Sequence, residues 1–405
     1  MTSRETLTVL LKEGYKIDVL SPRRFSIAHF SRLTHRVPIV DVNRFPVDYL
    51  RQVSQLLRKT NYKAILPTHE EGWLLANGKQ FLPQSLPIAL ADKEQFKKLA
   101  GKIAFAETAD LLGLPTPKWE HVKDADSIRL DYPYWLKADY GTAGRSVYKI
   151  SSKKDLAEVT SKLTASDEEW MVQQDIVGDY GQVQAVFDHG ELLAVHSSVK
   201  VGSGAGGSAA ARLSIESKRT REHVEKLGQY IQWHGCLTLD FIRRGDQFYY
   251  IECNPRMVEP ANAYKAGVNF PKIMIELASH SYAKSEVILG QAGVETHSLM
   301  ALIIGTAEKT KSRRKILQTI KYWLLRRDSE EVLTPVWKDL PSIIPLVTII
   351  LRLLIKPKSV ENLVNQTVKH YSVESATVKN IEQKNYFIQR RKYETNYFHH
   401  HGLQI

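Results

Sequence analysis

Apolar positions along the first ninety residues recur with two alternating periods. Residues 6–14 read as a helix stopped by Gly14, residues 16–20 and 37–42 as short strands, and residues 47–59 as an amphipathic helix. Residues 64–68 and 88–91 are short apolar runs of the kind that form buried strands. This alternation predicts a small parallel α/β sheet. The chain opens directly on a helix, whereas a doubly wound unit normally begins with a strand. The expectation is therefore that the first strand is absent or lies upstream of an incorrectly chosen start.

Residues 93–113 are helical and end in Leu112-Gly113-Leu114-Pro115-Thr116-Pro117, a glycine-then-proline stop. From residue 134 to about 253 the period becomes that of strands. The candidates are residues 134–138, 146–150, 170–176, 182–188, 192–198, 236–242 and 248–254, with helices at 154–164 and 217–234 between them. After residue 300 the pattern is helical and basic, broken by Pro335, Pro341, Pro345 and Pro357. No internal repeat or low-complexity run interrupts the chain.

The 405 residues suggest two to three domains, and 43% hydrophobic with 25% charged residues is an ordinary globular composition. Two cysteines, Cys236 and Cys253, are too few for a disulfide framework or a cysteine-rich zinc site and fit a reduced, cytosolic setting. Met1-Thr2-Ser3-Arg4-Glu5 has no apolar signal core, which argues against a secreted scaffold. The net charge of +12 is uneven: residues 300–405 hold 18 Lys/Arg and 9 Asp/Glu, leaving +3 for residues 1–299. The longest apolar run, Ile343–Ile355, contains Pro345 and Arg352 and is flanked by Lys338 and Lys356. At 13 residues it falls short of the roughly 20 that span a bilayer, leaving a buried or an interfacial helix.

The most informative stretch runs from Cys236 to Arg256, two strands about a turn built on Gly245-Asp246. Leu237, Leu239 and Phe241 share one face, which puts Asp240 on the other. Tyr249, Ile251 and Cys253 are expected to share a face, with Glu252 and Asn254 opposite. A hairpin centred near Asp246 pairs position 240 with 252, bringing two carboxylates and a carboxamide to one surface. Such a set suits a hard cation; Mg²⁺ takes one or two carboxylates together with substrate phosphate oxygens. Arg256 follows where a fixed cation can face developing negative charge. Two rival readings are a solvated hairpin face and a carboxylate pair for glycoside hydrolysis. Asn254 and Arg256 weigh against the second.

Residues 132–147 read as strand, loop, strand. Gly141 and Gly144 let backbone N–H groups approach phosphate oxygens, and Lys137 is placed to meet one. The alternative is a plain glycine-rich hairpin. A second run, Gly202-Ser203-Gly204-Ala205-Gly206-Gly207-Ser208, follows Lys200 and has a surface loop as its simpler reading. Neither loop matches the P-loop or the dinucleotide fingerprint.

Taken in order, these elements resemble the ATP-grasp superfamily, particularly its carbamoyl-phosphate synthetase and biotin carboxylase branch. Lys102 precedes the Gly-Leu-Pro-Thr-Pro stop; Tyr132-Pro133-Tyr134-Trp135-Leu136-Lys137 and its glycine loop follow. Val172-Gln173-Gln174-Asp175-Ile176-Val177-Gly178 and the Gly206-Gly207 pair come next, and Glu252-Cys253-Asn254-Pro255-Arg256 closes the set. The resemblance covers roughly residues 90–280. It implies an α/β (α+β) ATP-grasp fold at 92–290, with a lid subdomain at about 117–178. A small parallel α/β domain (1–91) precedes it, and a mostly helical, basic extension (291–405) follows.

By this resemblance Lys102 and Lys137 contact ATP phosphates, and the loop carrying Gly141, Gly144 and Ser146 is a lid over them. Gln173, Gln174 and Ile176 meet the adenine edge. Asp240, Glu252 and Asn254 hold Mg²⁺, with Mn²⁺ as a substitute. Arg256 faces an acyl phosphate, and Lys200 serves the same anionic region. The implied activity is an ATP- and Mg²⁺-dependent ligase that joins a small-molecule carboxylate to an amine. Two departures are Gln173-Gln174, where a glutamate is usual, and Asp240 in place of a more common glutamate. No biotin-carrier or glutamine-amidotransferase module is visible.

Residues 300–405 lie outside the resemblance. Arg313, Arg314, Lys315, Lys321, Arg326 and Arg327 border a helical face read from Ile316, Leu317, Ile320, Trp323, Leu324 and Leu325. One reading is a helix packed on the body with a solvated charged side. The other is peripheral contact of residues 312–356 with an anionic membrane, on the inner face for a cytoplasmic protein. Nucleic acid is not expected, because basic residues and aromatics form no recognisable module. His399-His400-His401 reads as a terminal tail more readily than as a metal site. A homodimer is the commonest assembly for such a chain. The competing classes are a degenerate ATP-binding module and a membrane-associated adaptor of the same fold.

Overall fold

The computed structural model describes residues 1–363 except 12, 23–25, 43, 80–81, 142–145 and 165–167. The N-terminal part comprises α1 (Thr2–Leu10), β1 (Ile17–Ser21), β2 (Thr34–Pro38), α2 (Pro46–Lys59) and α3 (Glu71–Asn77). β1 and β2 pair in parallel, as the alternating periods predicted. The first helix starts and ends four residues earlier than its apolar spacing suggested, and β2 lies at Thr34–Pro38 rather than 37–42. Residues 64–68 and 88–91 are extended but form no strand ladder; one bond, Ile65 N–H to Pro87 O at 2.8 Å, joins the two runs. Between β1 and residues 62–68 lies a cavity of about 240 Å³, lined largely by aliphatic side chains of α1, β1 and α2.

The single helix expected over 93–113 is two, α4 (Lys93–Lys97) and α5 (Lys102–Leu111). The break has a packing cause. A Cβ at Gly101 would meet Asp139 Oδ2 at 2.7 Å, and the Asp139 carboxylate accepts from Ile103 N–H at 2.8 Å, capping α5.

A four-stranded antiparallel sheet follows, built from β3 (Trp119–Val122), β4 (Tyr134–Ala138), β5 (Val147–Ile150) and β6 (Trp170–Gln174), with α6 (Lys153–Thr164). Its order is β3-β6-β4-β5. β7 (Asp179–Asp188), β8 (Glu191–Ser203), β9 (Ala209–Ile215), α7 (Lys218–Ile231), β10 (Gly235–Arg244) and β11 (Gln247–Asn254) then form most of a larger sheet, in the order β11-β10-β7-β8-β9. α8 (Ala261–Lys265), α9 (Phe270–Ala278), β12 (Ile288–Leu289) and β13 (Glu295–His297) complete its surroundings. One apolar core joins α3, α4 and α5 to this sheet through Leu74, Phe96, Phe105, Leu227, Leu239 and Phe241. Each such side chain contributes about 1.5–3 kcal/mol on burial, so the N-terminal part and the large sheet are fastened together. Cys236 and Cys253 are buried free thiols within this fold.

The C-terminal part adds α10 (Leu299–Thr310), α11 (Arg313–Leu325), β14 (Ser329–Glu331) and α12 (Ile343–Ile355), the helical character expected there. It is locked to the N-terminal part by a buried ion pair, Arg4 Nη2 to Asp339 Oδ2 at 2.9 Å. The remaining Arg4 donors reach Leu333 O and Phe30 O at 3.0 Å each. Removing either partner would leave an uncompensated buried charge. Among the described residues no helix is long and apolar enough to cross a membrane. His399–401 lies outside the described residues.

Candidate active site

The β10–β11 hairpin carries the carboxylates. Arg244 pairs with Gln247 across a two-residue turn in which Gly245 takes φ 58°, a conformation that favours glycine. From this turn the register places Phe241 opposite Tyr250, and an unbroken ladder would then set Asp240 against Ile251. A bulge after Phe241 inserts one residue, and Asp240 instead pairs with Glu252 and Thr238 with Asn254. The pairing of 240 with 252 is thus the one read from the sequence, but the faces of the second strand are not. Phe248, Tyr250 and Cys253 point into the core, while Tyr249 and Ile251 do not share the face of Cys253. The bulge lets one strand bury two aromatics near the turn and still present Glu252 and Asn254 to the cleft.

Side-chain hydrogen bonds order this edge. Asn254 Nδ2 donates to Asp240 Oδ2 at 3.4 Å, and Arg256 Nη2 donates to Asn254 Oδ1 at 3.1 Å. Thr238 Oγ1 donates to Arg256 O at 2.9 Å and fixes the backbone after the strand. Asp240, Asn254 and Arg256 therefore form one connected row, with Glu252 directly across from Asp240.

Two lysines face the row from the smaller sheet and from α5. Lys137, on β4, is 6% exposed, and its Nζ donates to Gln173 Oε1 on β6 at 2.6 Å. Lys102, the first residue of α5, donates to Asp139 O and Gly141 O at 3.2 Å each. Gly141 and Ser146 flank the glycine loop, Ser146 with φ 57°; Gly144 lies outside the described residues. Gln174 ends β6, and Ile176 lies in the connection to β7, where the two sheets meet. Gln173 is buried and spent on Lys137, so its side chain belongs to the lysine.

Charge in the cleft is strained in a telling direction. Burial, and then the neighbouring Glu252, push the Asp240 carboxyl up to about 7. Burial brings Lys137 down to about 8; Glu252 and Asp240 pull it back up, and Lys102 pushes it further down. Opposed carboxylates and opposed ammonium groups across one cleft are what a cation plus a polyanion would each relieve. Oxygen-only donors at Asp240, Glu252 and Asn254 are hard ligands of the kind Mg²⁺ takes. Gln182 pairs with Asp240 across the next strand and is 1% exposed, yet its amide O and N find no partner among the described residues.

Tyr180, Arg212, His69, Glu70 and Trp73 also reach the cleft and were not singled out by sequence. Tyr180 on β7 is hydrogen-bonded to Asp240, and Lys200 Nζ lies 5.2 Å from its ring centroid while donating to Gly207 O at 2.8 Å. Lys200 thus approaches the acidic row through Tyr180. Arg212, opposite Lys200 on β9, forms a buried ion pair with Glu259 at 2.9 Å; its Nη1 has no partner among the described residues. His69, Glu70 and Trp73 line a cleft of about 60 Å³ together with Lys102, Glu252 and Arg256. Burial and neighbouring positive charge hold His69 well below its usual range, so it is neutral at pH 7. A readable signal existed for His69 and Glu70, polar residues directly after the apolar run 64–68. Arg212 had none, because the Ala-rich strand before it does not alternate.

Glu5 sits behind this group, accepting from Ala261 N–H at 3.2 Å. Burial and then Glu259 raise it from 4.5 to about 8. Its neutral form is the one the fold tolerates. The associated stability is present below the unfolded value and is lost as pH climbs through about 8. Glu5→Gln is therefore expected to raise stability at pH 8 by about 2 kcal/mol or less, read as a higher thermal midpoint, and to give no gain at pH 4. Melting curves of both proteins at the two pH values check this.

Asp188, His189 and His234 form a separate group whose ligand atoms lie within 4.8 Å of one another. It stands at the far end of β7, roughly 20 Å along the strand from Gln182. The His189 and His234 rings stack at 4.2 Å and 13°, so their in-plane lone pairs run parallel and do not converge.

Residues 99–260 match the family model described as the ATP-grasp domain. Over 212 residues the chain is 25% identical to the multifunctional protein CAD of Squalus acanthias, covering 46% of this chain and only 9% of that much longer protein. The fold is shared with the L-amino acid ligase from Bacillus licheniformis (TM-score 0.54, 17% identity, 69% of this chain and 74% of that one). It is also shared with the biotin carboxylase domain of the Hydrogenobacter thermophilus 2-oxoglutarate carboxylase. That domain was solved as a dimer with MgADP, ADP and bicarbonate (TM-score 0.57, 16% identity, 73% and 71% covered).

Proposed function

Since residues 99–260 match the ATP-grasp domain model, we propose that the protein is an ATP- and Mg²⁺-dependent ligase that activates a carboxylate as an acyl phosphate and joins it to an amine. The observation that carries this reading is the facing of Lys102 and Lys137 across one cleft from the Asp240–Glu252 pair, with Arg256 tied to the same row.

Lys102 and Lys137 bind the polyphosphate, and their mutual repulsion is relieved by it. Asp240, Glu252 and Asn254 hold Mg²⁺, which supplies charge neutralisation between phosphate oxygens. Mn²⁺, another oxygen-preferring ion, is expected to substitute. Backbone groups of residues 174–176 meet the adenine edge where the two sheets join. Arg256, held by Asn254, faces the carboxylate that accepts the γ-phosphoryl group and stabilises the anion that leaves. Arg212 and Lys200 extend the cationic lining on the same side. The reaction consists mainly of positioning and charge compensation, which needs no nucleophilic side chain from the protein. The loop 141–146 is assigned the role of excluding water from the acyl phosphate. In this division residues 92–290 carry the chemistry, with about 117–178 as lid subdomain. Residues 1–91 supply His69 and Glu70 to the substrate side, and residues 291–405 are an extension.

The L-amino acid ligase and the biotin carboxylase domain bracket the substrates to be tried, amino acids in one case and bicarbonate in the other. The test is ADP release with ATP and Mg²⁺ against pooled amino acids, small carboxylates and bicarbonate. Turnover that requires one pool and vanishes in Asp240→Asn is the expected result. Tight Mg²⁺-dependent ATP binding without turnover in any pool would favour a regulatory ATP-binding module instead.

A further inference from the structure

We propose that the outward side of α11 and α12 is a docking face for an anionic lipid bilayer surface. α12 buries Pro345, Leu346 and Leu353 against the body. Its other side leaves Ile343, Val347, Leu351 and Ile355 open, four residues apart and 41–73% exposed. α11 does the same with Leu317, Leu324 and Leu325, which are 53–69% exposed. The two helices run antiparallel. Arg313 Nη2, at the start of α11, donates to Ile355 O at 2.7 Å, while Leu324 and Leu346 line one cavity at the opposite end. Trp337, 94% exposed, borders that cavity. Soluble surfaces rarely carry so many large aliphatic side chains together unless something covers them.

The charges identify what covers them. The sequences RRKILQTIKYWLL and IIPLVTIILRLLI hold five Arg/Lys and no Asp/Glu. Among the described residues Arg314, Lys315, Lys321, Arg327 and Lys356 have no carboxylate partner. Arg313, Arg314 and Lys315 also occupy the first turn of α11, where positive charge opposes the helix dipole. An anionic layer at that point removes this conflict. A second copy would set the unpaired cations of the two chains against each other, and a neutral protein would leave them unanswered. Aliphatic side chains flanked by Lys, Arg and an exposed Trp match the boundary between acyl chains and headgroups. α12 is 13 residues, about 20 Å long, too short to span the hydrocarbon and suited to lying in the interface.

Vesicle flotation of the full chain tests this, with neutral phosphatidylcholine beside vesicles containing about 30 mol % phosphatidylglycerol. The expected result is at least about tenfold more protein on the anionic vesicles, most of it released near 0.5 M salt. Leu324→Glu with Leu351→Glu should lower binding about tenfold without moving the thermal midpoint, since both side chains are exposed. Arg314→Glu with Lys321→Glu should lower it on anionic vesicles alone. Folded native protein that floats with neither vesicle, or variants that bind as the native chain does, would overturn the proposal. So would a native dimer that Leu351→Glu converts to monomer in a chain that ignores vesicles, which would assign the face to a second copy.

Discussion

Glu252→Gln is expected to reduce ATP turnover by about a thousandfold or more while the folded protein keeps, or slightly raises, its thermal midpoint. The two effects have one cause. Glu252 faces Asp240 across the hairpin and helps hold that carboxyl at about 7. Removing one of two like charges relieves the nucleotide-free protein, since the repulsion is not compensated until a cation arrives. The same change takes away a charged oxygen from the set proposed to hold Mg²⁺. A purely structural hairpin gives the opposite pattern, with stability lost and any activity little changed. ADP release and melting curves on the same preparations separate the two.

Lys137→Met is expected to weaken nucleotide binding about a hundredfold, as for one lost charge-assisted hydrogen bond in a water-poor cleft. Its pH dependence is the sharper readout. Lys137 is brought down to about 8, so in the empty cleft it is largely cationic at pH 7 and largely neutral at pH 9.5. Affinity for ATP in the native chain should therefore fall roughly twentyfold over that interval. The bound polyphosphate, which restores the proton, keeps the fall from being larger. In Lys137→Met the affinity is low throughout and this component of the slope disappears. A slope unchanged in the variant would assign the titration to another group.

The hairpin shows how far the sequence could be read, and where reading stops. Strand alternation and the Gly245-Asp246 turn placed Asp240 against Glu252, and the structure has that pair. The agreement depends on two features that cancel. The turn is centred half a residue earlier than assumed, and the bulge after Phe241 restores the register. A bulge leaves no periodic signature, so alternation groups Tyr249 and Ile251 with Cys253, whereas the structure buries Phe248 and Tyr250 with it. Strands with large aromatic and aliphatic residues, such as β4 and β6, are located to within a residue or two. β9 was missed because Ala209-Ala210-Ala211 has no alternation, and with it went Arg212. Gly101 reads as a helix interior in sequence, and only the approach of Asp139 explains why it ends one helix and opens another. At the N-terminus the unusual opening helix was legible. What it leaves beside β1 is a cavity lined by aliphatic side chains, which no periodicity announces.

The tail carried two readings, a helix packed on the body and an interfacial helix; α11 and α12 do pack on the body, and the second reading rests on the apolar surface they leave exposed. Each buries one stripe, with Ile316 and Trp323 in α11 and Leu346 and Leu353 in α12, and exposes another. Periodicity alone reports that a helix has an apolar side. It does not report that an apolar helix has more such surface than its neighbours can cover.

Calorimetric titration of ATP into the purified chain, with and without Mg²⁺ and beside Glu252→Gln, tests the central claim most directly. The account predicts saturable binding with a dissociation constant below about 1 mM, strongly weakened when Mg²⁺ is withheld or Glu252 is replaced. Folded protein that binds no ATP in the presence of Mg²⁺, or binds it equally well without the metal and without the Glu252 carboxylate, would contradict it.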